Sequence, residues 1–378
     1  MGTRFGFVST YPPTQCGLAT FTASLRGALT ASGEDEGWIL RLVETAEPRT
    51  DSAVVAQVIS GQPLSAAVTA RLNDCDVVVV QHEFGVYGGP DGDEILPLLA
   101  AIEVPCIVVL HTVLSQPTEH QREVLESVVA RADAVVTMSQ SARERLTECY
   151  TVELSKVSII PHGAPEIRSS ATAVPSPMFR SGQPVVLTWG LLGPGKGIEW
   201  GIEAMSLLAD LRPAPRYVIA GQTHPKVILK EGEAYRSGLG EQVRRLGLAG
   251  TVSFDARYRH ADALSDLVAT ADVVLLPYDS TDQVTSGVLS EAIAAGKPVV
   301  ATAFPHAVEL LADGAGVVVA HRDPVAIAGA LRTLLTRRDV AARMAGVAAA
   351  STPQLLWPAI ADRYRELAAQ LITASIAA

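Results

Sequence analysis

The chain has 378 residues, of which 48% are hydrophobic and 19% charged, and its formal net charge is −10. This is a globular composition rather than a disordered one, and at about 150 residues per domain the length calls for two or three domains. The acidic balance and the lack of a Lys/Arg run argue against a nucleic-acid surface, and no run reaches the ~18 apolar residues of a membrane span.

Residues 1–15 lack the long apolar segment of a secretion signal. Cys16, Cys75, Cys106 and Cys149 are scattered, with no CxxC or Cys/His ligand spacing. They read as free thiols of a cytoplasmic protein with no bound metal.

Short β-branched runs alternate with helix-length segments. In the first half these runs are FGFVS (5–9), WILRLV (38–43), DVVVV (76–80), CIVVL (106–110), AVVTM (134–138) and VSII (157–160). Runs apolar on consecutive positions suit strands covered on both faces, hence parallel sheets. Segments 119–132 and 141–150 have helical spacing, with Ser139 or Ser141 as a candidate N-cap. A Pro/Ser-rich linker follows at 161–184, and the pattern then restarts with PVVLTW (184–189), RYVIA (216–220), TVSF (251–254), DVVLLP (272–277), PVVAT (298–302) and GVVVA (316–320). The prediction is α/β: two Rossmann-like, doubly wound parallel-sheet domains of similar size. In this architecture ligands bind at the carboxyl ends of the strands, here expected in the cleft between the domains.

Several polar clusters fall at such strand ends. WGLLGPGKGIE (189–199) has the G-x-x-x-x-G-K spacing of a phosphate loop, but Gly197 replaces the hydroxyl residue that would hold Mg²⁺. What remains is a glycine turn at Gly195 and a cation, Lys196, at a helix start, both suited to an anion. In DQVTSGVLSEAIAAGKP (282–298), Thr285 or Ser286 can cap a helix whose first amides lie beside Gly287. Glu291 is a lone carboxylate in an otherwise apolar run, so it needs partners, and a vicinal diol such as a ribose would supply two. His111-Thr112 ends one strand and Gln81-His82-Glu83 another. A Pro-rich loop with Gly17 follows the first strand. Asp91-Gly92-Asp93-Glu94 has the Asp-x-Asp pattern of a metal site but equally the acidic character of a helix start.

Together these residues resemble the family 4 retaining glycosyltransferases, which use nucleotide-sugar donors and have the two-domain GT-B fold. The matching stretches are YPPTQCGLATFTASL (11–25), LHT (110–112), IIPHG (159–163), LLGPGKGIE (191–199), LLPYDS (275–280), SEAIAAGKPVVAT (290–302), ELLADGAGVVV (309–319) and WPAIADRYRELA (357–368). The resemblance implies an N-terminal acceptor-binding domain (1–168), a C-terminal donor-binding domain (184–356) and a final helix (357–378) crossing back to the first domain. It also implies a hexosyl transfer from a GDP-, UDP- or ADP-linked sugar to a sugar or glycoconjugate acceptor, with no cofactor and no metal.

Matched position by position, the diphosphate-binding Lys is Lys196, beside Gly195, and the ribose-binding Glu is Glu291. The sugar-contacting His is His111, and the glycine of the donor-facing loop is Gly17. Ser286 and Gly287 fall where helix amides meet the donor. His82 and Glu83 are assigned to the acceptor side. Two positions depart from the family pattern: Gln283 stands where the first Glu of Glu-x7-Glu is expected, and Leu191 replaces a phosphate-binding Arg. Lys226, Arg257 or Arg259 are candidates for the missing cation, with Arg257 taken as donor-binding. A sub-branch with the Gln, and with GQTHP (221–225) and EGEAYR (231–236), looks similar. Competing readings are a sugar-nucleotide epimerase or phosphorylase on the same fold, a two-domain sugar-binding protein, and a phosphate-loop NTPase.

Overall fold

The computed structural model describes residues 2–167, 182–259 and 261–377. Most of the Pro/Ser-rich linker, residues 168–181, lies outside the described residues. The chain divides into two compact units, one of Met1–Gly163 with Trp357–Ala378, the other of Ala164–Leu356.

The first unit holds β1 (Arg4–Ser9), β2 (Glu36–Val43), β3 (Val54–Ile59), β4 (Val77–His82), β5 (Cys106–Leu110), β6 (Ala134–Thr137) and β7 (Val157–Ile159). They pair in the order β3-β2-β1-β4-β5-β6-β7, all parallel. Alternation along the strands turns Phe5, Phe7, Val77, Val79, Ile107 and Val109 to one face. There they meet Phe21, Leu25 and Leu29 of helix Gly17–Leu29 and Trp357, Ile360, Ala361 and Tyr364 of helix Trp357–Ala377. The last helix is fastened to this unit by Arg365, whose guanidinium donates to Asp35 (2.8 Å) and to the carbonyls that end helix Gly17–Leu29. Strand β3 is absent from the sequence-based list. It is an edge strand, half-exposed along most of its length and interrupted by Gln57, so it lacks the continuous apolar run of its buried neighbours.

The second unit holds β8 (Val185–Trp189), β9 (Arg216–Ala220), β10 (Val252–Asp255), β11 (Val273–Leu276), β12 (Val299–Thr302) and β13 (Gly316–Val319), parallel in the order β10-β9-β8-β11-β12-β13. Leu187, Trp189, Val218, Val274 and Leu276 face Leu289, Ala292 and Ile293 of helix Gly287–Ala294. Val186, Tyr217, Ile219, Val273 and Leu275 face Ile198, Ile202 and Met205 of helix Ile198–Ser206. Burial on both faces explains why these strands read as unbroken apolar runs. Lys297, where helix Gly287–Ala294 gives way to β12, is structural: its ammonium donates to the carbonyls of Ala269 (2.7 Å) and Ala271 (2.8 Å). Among the described residues no helix is long and apolar enough to cross a membrane.

Candidate functional site

Each sheet has one place where successive connections leave in opposite directions, and there the carboxyl strand ends leave a crevice for ligand. In the second unit it lies between β8 and β11, in the first between β1 and β4. Lys196, Ser286, Gly287 and Glu291 lie in the segments that follow β8 and β11, and Gly17 and His82 in those that follow or end β1 and β4.

Beyond β8 the chain makes the glycine loop 190–197. One side of this loop is stitched to the segment after β9, through Gly190 N–H to Ala220 O (3.0 Å), Leu192 N–H to Gln222 O (2.9 Å) and His224 N–H to Leu192 O (2.8 Å). The other side is tied to the end of β11 by Asp279 N–H donating to Gly195 O (2.9 Å). Gly197 starts the following helix at φ 59°, and a Cβ there would lie 1.8 Å from Pro277 O. Only glycine permits both the left-handed turn and that approach. The loop delivers Lys196 over the ring of buried Tyr278, its Nζ 4.3 Å from the centroid, a cation–π contact that fixes where the ammonium points.

Helix Gly287–Ala294 begins beside this loop's strand. Ser286 is its N-cap, the hydroxyl accepting from Leu289 N–H (3.2 Å), so the start is capped rather than bare. The amides of Gly287 and Val288 remain without an intrahelical acceptor, as at any helix start. The backbone N–H of Ser286 donates to Nδ1 of buried His306 (2.9 Å), and His306 N–H reaches Gln283 O (3.3 Å). His306 therefore braces the 283–286 segment, a role the sequence reading missed. Gln283 turns its amide to Thr285 O (3.1 Å).

Glu291, on the same helix, meets Trp189 at the end of β8, whose indole N–H donates to Oε2 at 3.1 Å. Protein surrounds the carboxyl, and this burial outweighs the indole bond, raising its pKa to about 7. One hydrogen bond leaves most of the acceptor capacity of a carboxylate unused.

The two motifs of the similar-looking sub-branch form one brace. In GQTHP (221–225) and EGEAYR (231–236), Thr223 donates to Glu233, and Arg236 donates to Thr223 Oγ1 (3.3 Å) and Gly221 O (2.5 Å). Tyr235 O–H reaches Glu199 Oε2 (2.9 Å), just past Lys196. Gly221 has φ 134°, and its absent Cβ would fall 1.9 Å from Gly190 O, so the turns after β8 and β9 are packed backbone to backbone. Arg257 and Arg259 are both committed to the buried Asp255 carboxylate, which they hold at a pKa of about 2. Arg257 thus lies in an ion-pair cluster at the end of β10, two strands from Lys196, rather than free beside the glycine loop.

In the first unit, β4 ends in Gln81 and His82, and β5 is followed by His111. The register Gln81↔Val109 puts Gln81 and His111 on the face that carries Phe21. His111 Nε2 is 2.6 Å from Gln81 Oε1, and its ring stands edge-on to Phe21 at 4.9 Å. His162 and Trp357 complete the aromatic cluster around Phe21, at 5.1 and 5.2 Å. Burial, with the two other imidazoles nearby, lowers the His111 pKa to about 3; His162 and His82 fall to about 4 by burial. All three rings are neutral at pH 7. His82 is fully buried, with its side chain on the opposite face of the sheet against Phe84. Glu83 accepts from the Thr112 hydroxyl. Gly17 opens helix Gly17–Leu29, exposed, with nothing within 4 Å of its missing Cβ, while Cys16 Sγ caps that helix at Ala19 N–H (3.4 Å). Asp91 and Asp93 face His120, with Asp91 Oδ2 2.9 Å from its Nδ1. Among the described residues no three His, Cys, Asp or Glu side chains converge as a metal-ligand set.

The fold is that of GT-B glycosyltransferases. A glycosyltransferase from Rickettsia africae matches with a TM-score of 0.75 at 14% identity, covering 98% of this chain and 99% of that one. Anabaena Alr3699/HepE, solved in complex with UDP and glucose, matches with a TM-score of 0.74 at 18% identity over 98% of this chain and 100% of that one. Among curated proteins, D-inositol 3-phosphate glycosyltransferase of Stackebrandtia nassauensis is 31% identical over 245 residues, 63% of this chain and 54% of that protein. Glycogen synthase of Mycobacterium tuberculosis is 27% identical over 256 residues, 65% of this chain and 58% of that protein. The matched stretches thus span little more than half the length of these relatives. The profile of the glycosyl transferases group 1 family matches residues 183–337, the stretch that contains β8 to β13, the glycine loop with Lys196 and the helix with Glu291. Over those residues the chain is similar to the glycosyl transferases group 1 family.

Proposed function

We propose that this chain is a retaining transferase that moves a hexosyl group from a nucleoside-diphosphate sugar to an acceptor hydroxyl, without a metal ion. The observation that carries the reading is the convergence at the β8/β11 ends of an aromatic-held ammonium, a helix start and an under-bonded carboxyl. These three match the charge, the phosphate oxygens and the ribose diol of such a donor.

As the glycosidic bond breaks, negative charge grows on the diphosphate. Lys196 and the amides of Gly287 and Val288 stabilise that charge, the role a metal ion has in other transferases. The leaving phosphate oxygen takes the proton of the acceptor hydroxyl, which attacks on the same face of the anomeric carbon. A double displacement would instead need a carboxylate nucleophile. Gln283 is neutral, and its amide is positioned by Thr285 O to hydrogen-bond sugar hydroxyls, so the sub-branch with Gln at this position favours the front-face route. Glu291 takes the ribose hydroxyls. His111 is too weak a base to remove a proton and contributes as a hydrogen-bonding partner of the sugar. Glu83, paired with Thr112, stays on the acceptor side. With four unpaired cysteines, a reducing cytoplasm that makes sugar nucleotides is the compartment this reading implies.

Incubation with α-linked UDP-, GDP- and ADP-hexoses and a panel of sugar and inositol phosphate acceptors, followed by NMR of the anomeric proton, tests the proposal. The expected product is α-linked and forms only with an acceptor. A β-linked product contradicts retention, and conversion of the donor alone points to an epimerase.

A further inference from the structure

We infer that Gln81 is a positioning residue that holds His111 as its Nε2–H tautomer, so that Nδ1 presents a lone pair to a hydroxyl of the transferred sugar. The inference rests on the transferase reading for the identity of that hydroxyl, but not for the tautomer itself.

Gln81 is completely buried, and its position is fixed from three directions. Its backbone is in the β4 ladder opposite Val109, its carbonyl accepts from the buried Tyr87 O–H (2.8 Å), and its side chain lies on the Phe21 face. Its Oε1 meets His111 Nε2 at 2.6 Å. A carbonyl oxygen can only accept, so the hydrogen in that contact belongs to Nε2 and the neutral ring carries none on Nδ1. The ring itself has little freedom to turn. Its backbone N–H is bound to His82 O (3.1 Å), and Phe21, which also packs on His162 and Trp357, stands edge-on against it. Gln81 Nε2, by contrast, is buried with no partner among the described residues.

The consequence is a rule for the substrate. The sugar atom facing His111 must donate a hydrogen bond, as a hydroxyl does. A deoxy or fluoro substituent there cannot, and is discriminated against.

The test reads the tautomer directly. In ¹⁵N-histidine-labelled protein, with His111 assigned by its loss in His111→Asn, long-range ¹H–¹⁵N correlation should report Nε2 as the protonated and Nδ1 as the bare nitrogen. Gln81→Glu retains an acceptor oxygen and should keep Nε2 protonated. Gln81→Leu removes it and should give a mixture or the Nδ1–H form. In calorimetry with whichever of UDP-, GDP- or ADP-glucose binds, Gln81→Leu should weaken the sugar nucleotide about 5- to 10-fold while leaving the free nucleoside diphosphate unchanged. An Nδ1–H tautomer in the unmodified protein overturns the inference. So does Gln81→Leu with an unaltered tautomer, or with equal losses for sugar nucleotide and nucleotide. If none of the three nucleotides or their glucosides binds, the transferase reading fails, and the tautomer still decides the role of Gln81.

Discussion

Lys196→Ala should lower turnover at least ~100-fold with a much smaller change in the affinity for the nucleotide sugar. In the proposed transfer the ammonium acts on charge that the leaving diphosphate gains only as the glycosidic bond breaks, so its contribution is larger in the transition state than in the ground state. Removing one preorganised electrostatic partner of this kind typically costs ~3–4 kcal/mol of the barrier. The expectation is sharpened by two features of the chain. Leu191 stands where a second cation is expected, and Arg257 and Arg259 are both ion-paired with Asp255. The Tyr278 ring orients the ammonium without neutralising it, as a carboxylate partner would. Steady-state kinetics at saturating donor is the measurement. Turnover within a few-fold of the unmodified enzyme would remove Lys196 from the chemistry, while a loss confined to KM would make it a binding group only.

The second large effect concerns Glu291. Its pKa of about 7 lies well above that of an unfolded glutamate, so the folded chain holds this proton more tightly than the unfolded one. Its contribution to stability is therefore complete at pH ~4 and is lost as pH rises through 7. A ribose diol donating to both oxygens favours the ionised form, so nucleotide binding and protonation compete. Nucleoside-diphosphate affinity should rise on the order of 10-fold between pH 5.5 and 8 and then level off. Glu291→Gln should flatten that profile and, without ligand, should gain stability relative to the unmodified chain as pH goes from 5 to 8. Glu291→Ala should weaken nucleotide binding about 10- to 100-fold, the range for hydrogen bonds to a charged group, with turnover at saturation nearly unchanged. A 2′-deoxynucleoside diphosphate should lose affinity for the unmodified chain but not for Glu291→Ala. Calorimetry across pH decides it, and unchanged affinity in the variant would refute the ribose role.

How far the sequence led depended on how local each feature is. The buried parallel strands were legible because burial on two faces forces consecutive apolar residues. CIVVL and RYVIA coincide with β5 and β9 residue for residue. Strand β3 was not, because an edge strand needs no such run. A helix cap at Thr285 or Ser286 and a turn with a cation at Gly195-Lys196 are decisions made within a few residues and could be read directly, and the structure selects Ser286 as the cap. Partners set by register could not. The Trp189 indole meets Glu291 across 102 positions, and Gln81 meets His111 across 30, because β8 neighbours β11 and β4 neighbours β5. GQTHP and EGEAYR were legible only as stretches shared with a similar-looking sub-branch, and the fold makes them one brace, Arg236 and Glu233 holding the turn after β9 against the glycine loop. His306 carried a faint signal, a histidine at a helix start just past a strand end, but its bond to the Ser286 amide depends on the packing of two helices.

The central claim is that the β8/β11 strand ends bind a nucleoside diphosphate through Lys196 and Glu291. Thermal unfolding of the chain with UDP, GDP and ADP tests it most directly, since a ligand that binds only the folded state raises the midpoint in proportion to the logarithm of its concentration over Kd. One of the three should raise the midpoint by several degrees in the unmodified chain, and the shift should vanish in the Lys196→Ala/Glu291→Ala double variant. No shift with any of them at millimolar concentration, or an undiminished shift in the double variant, would contradict the account.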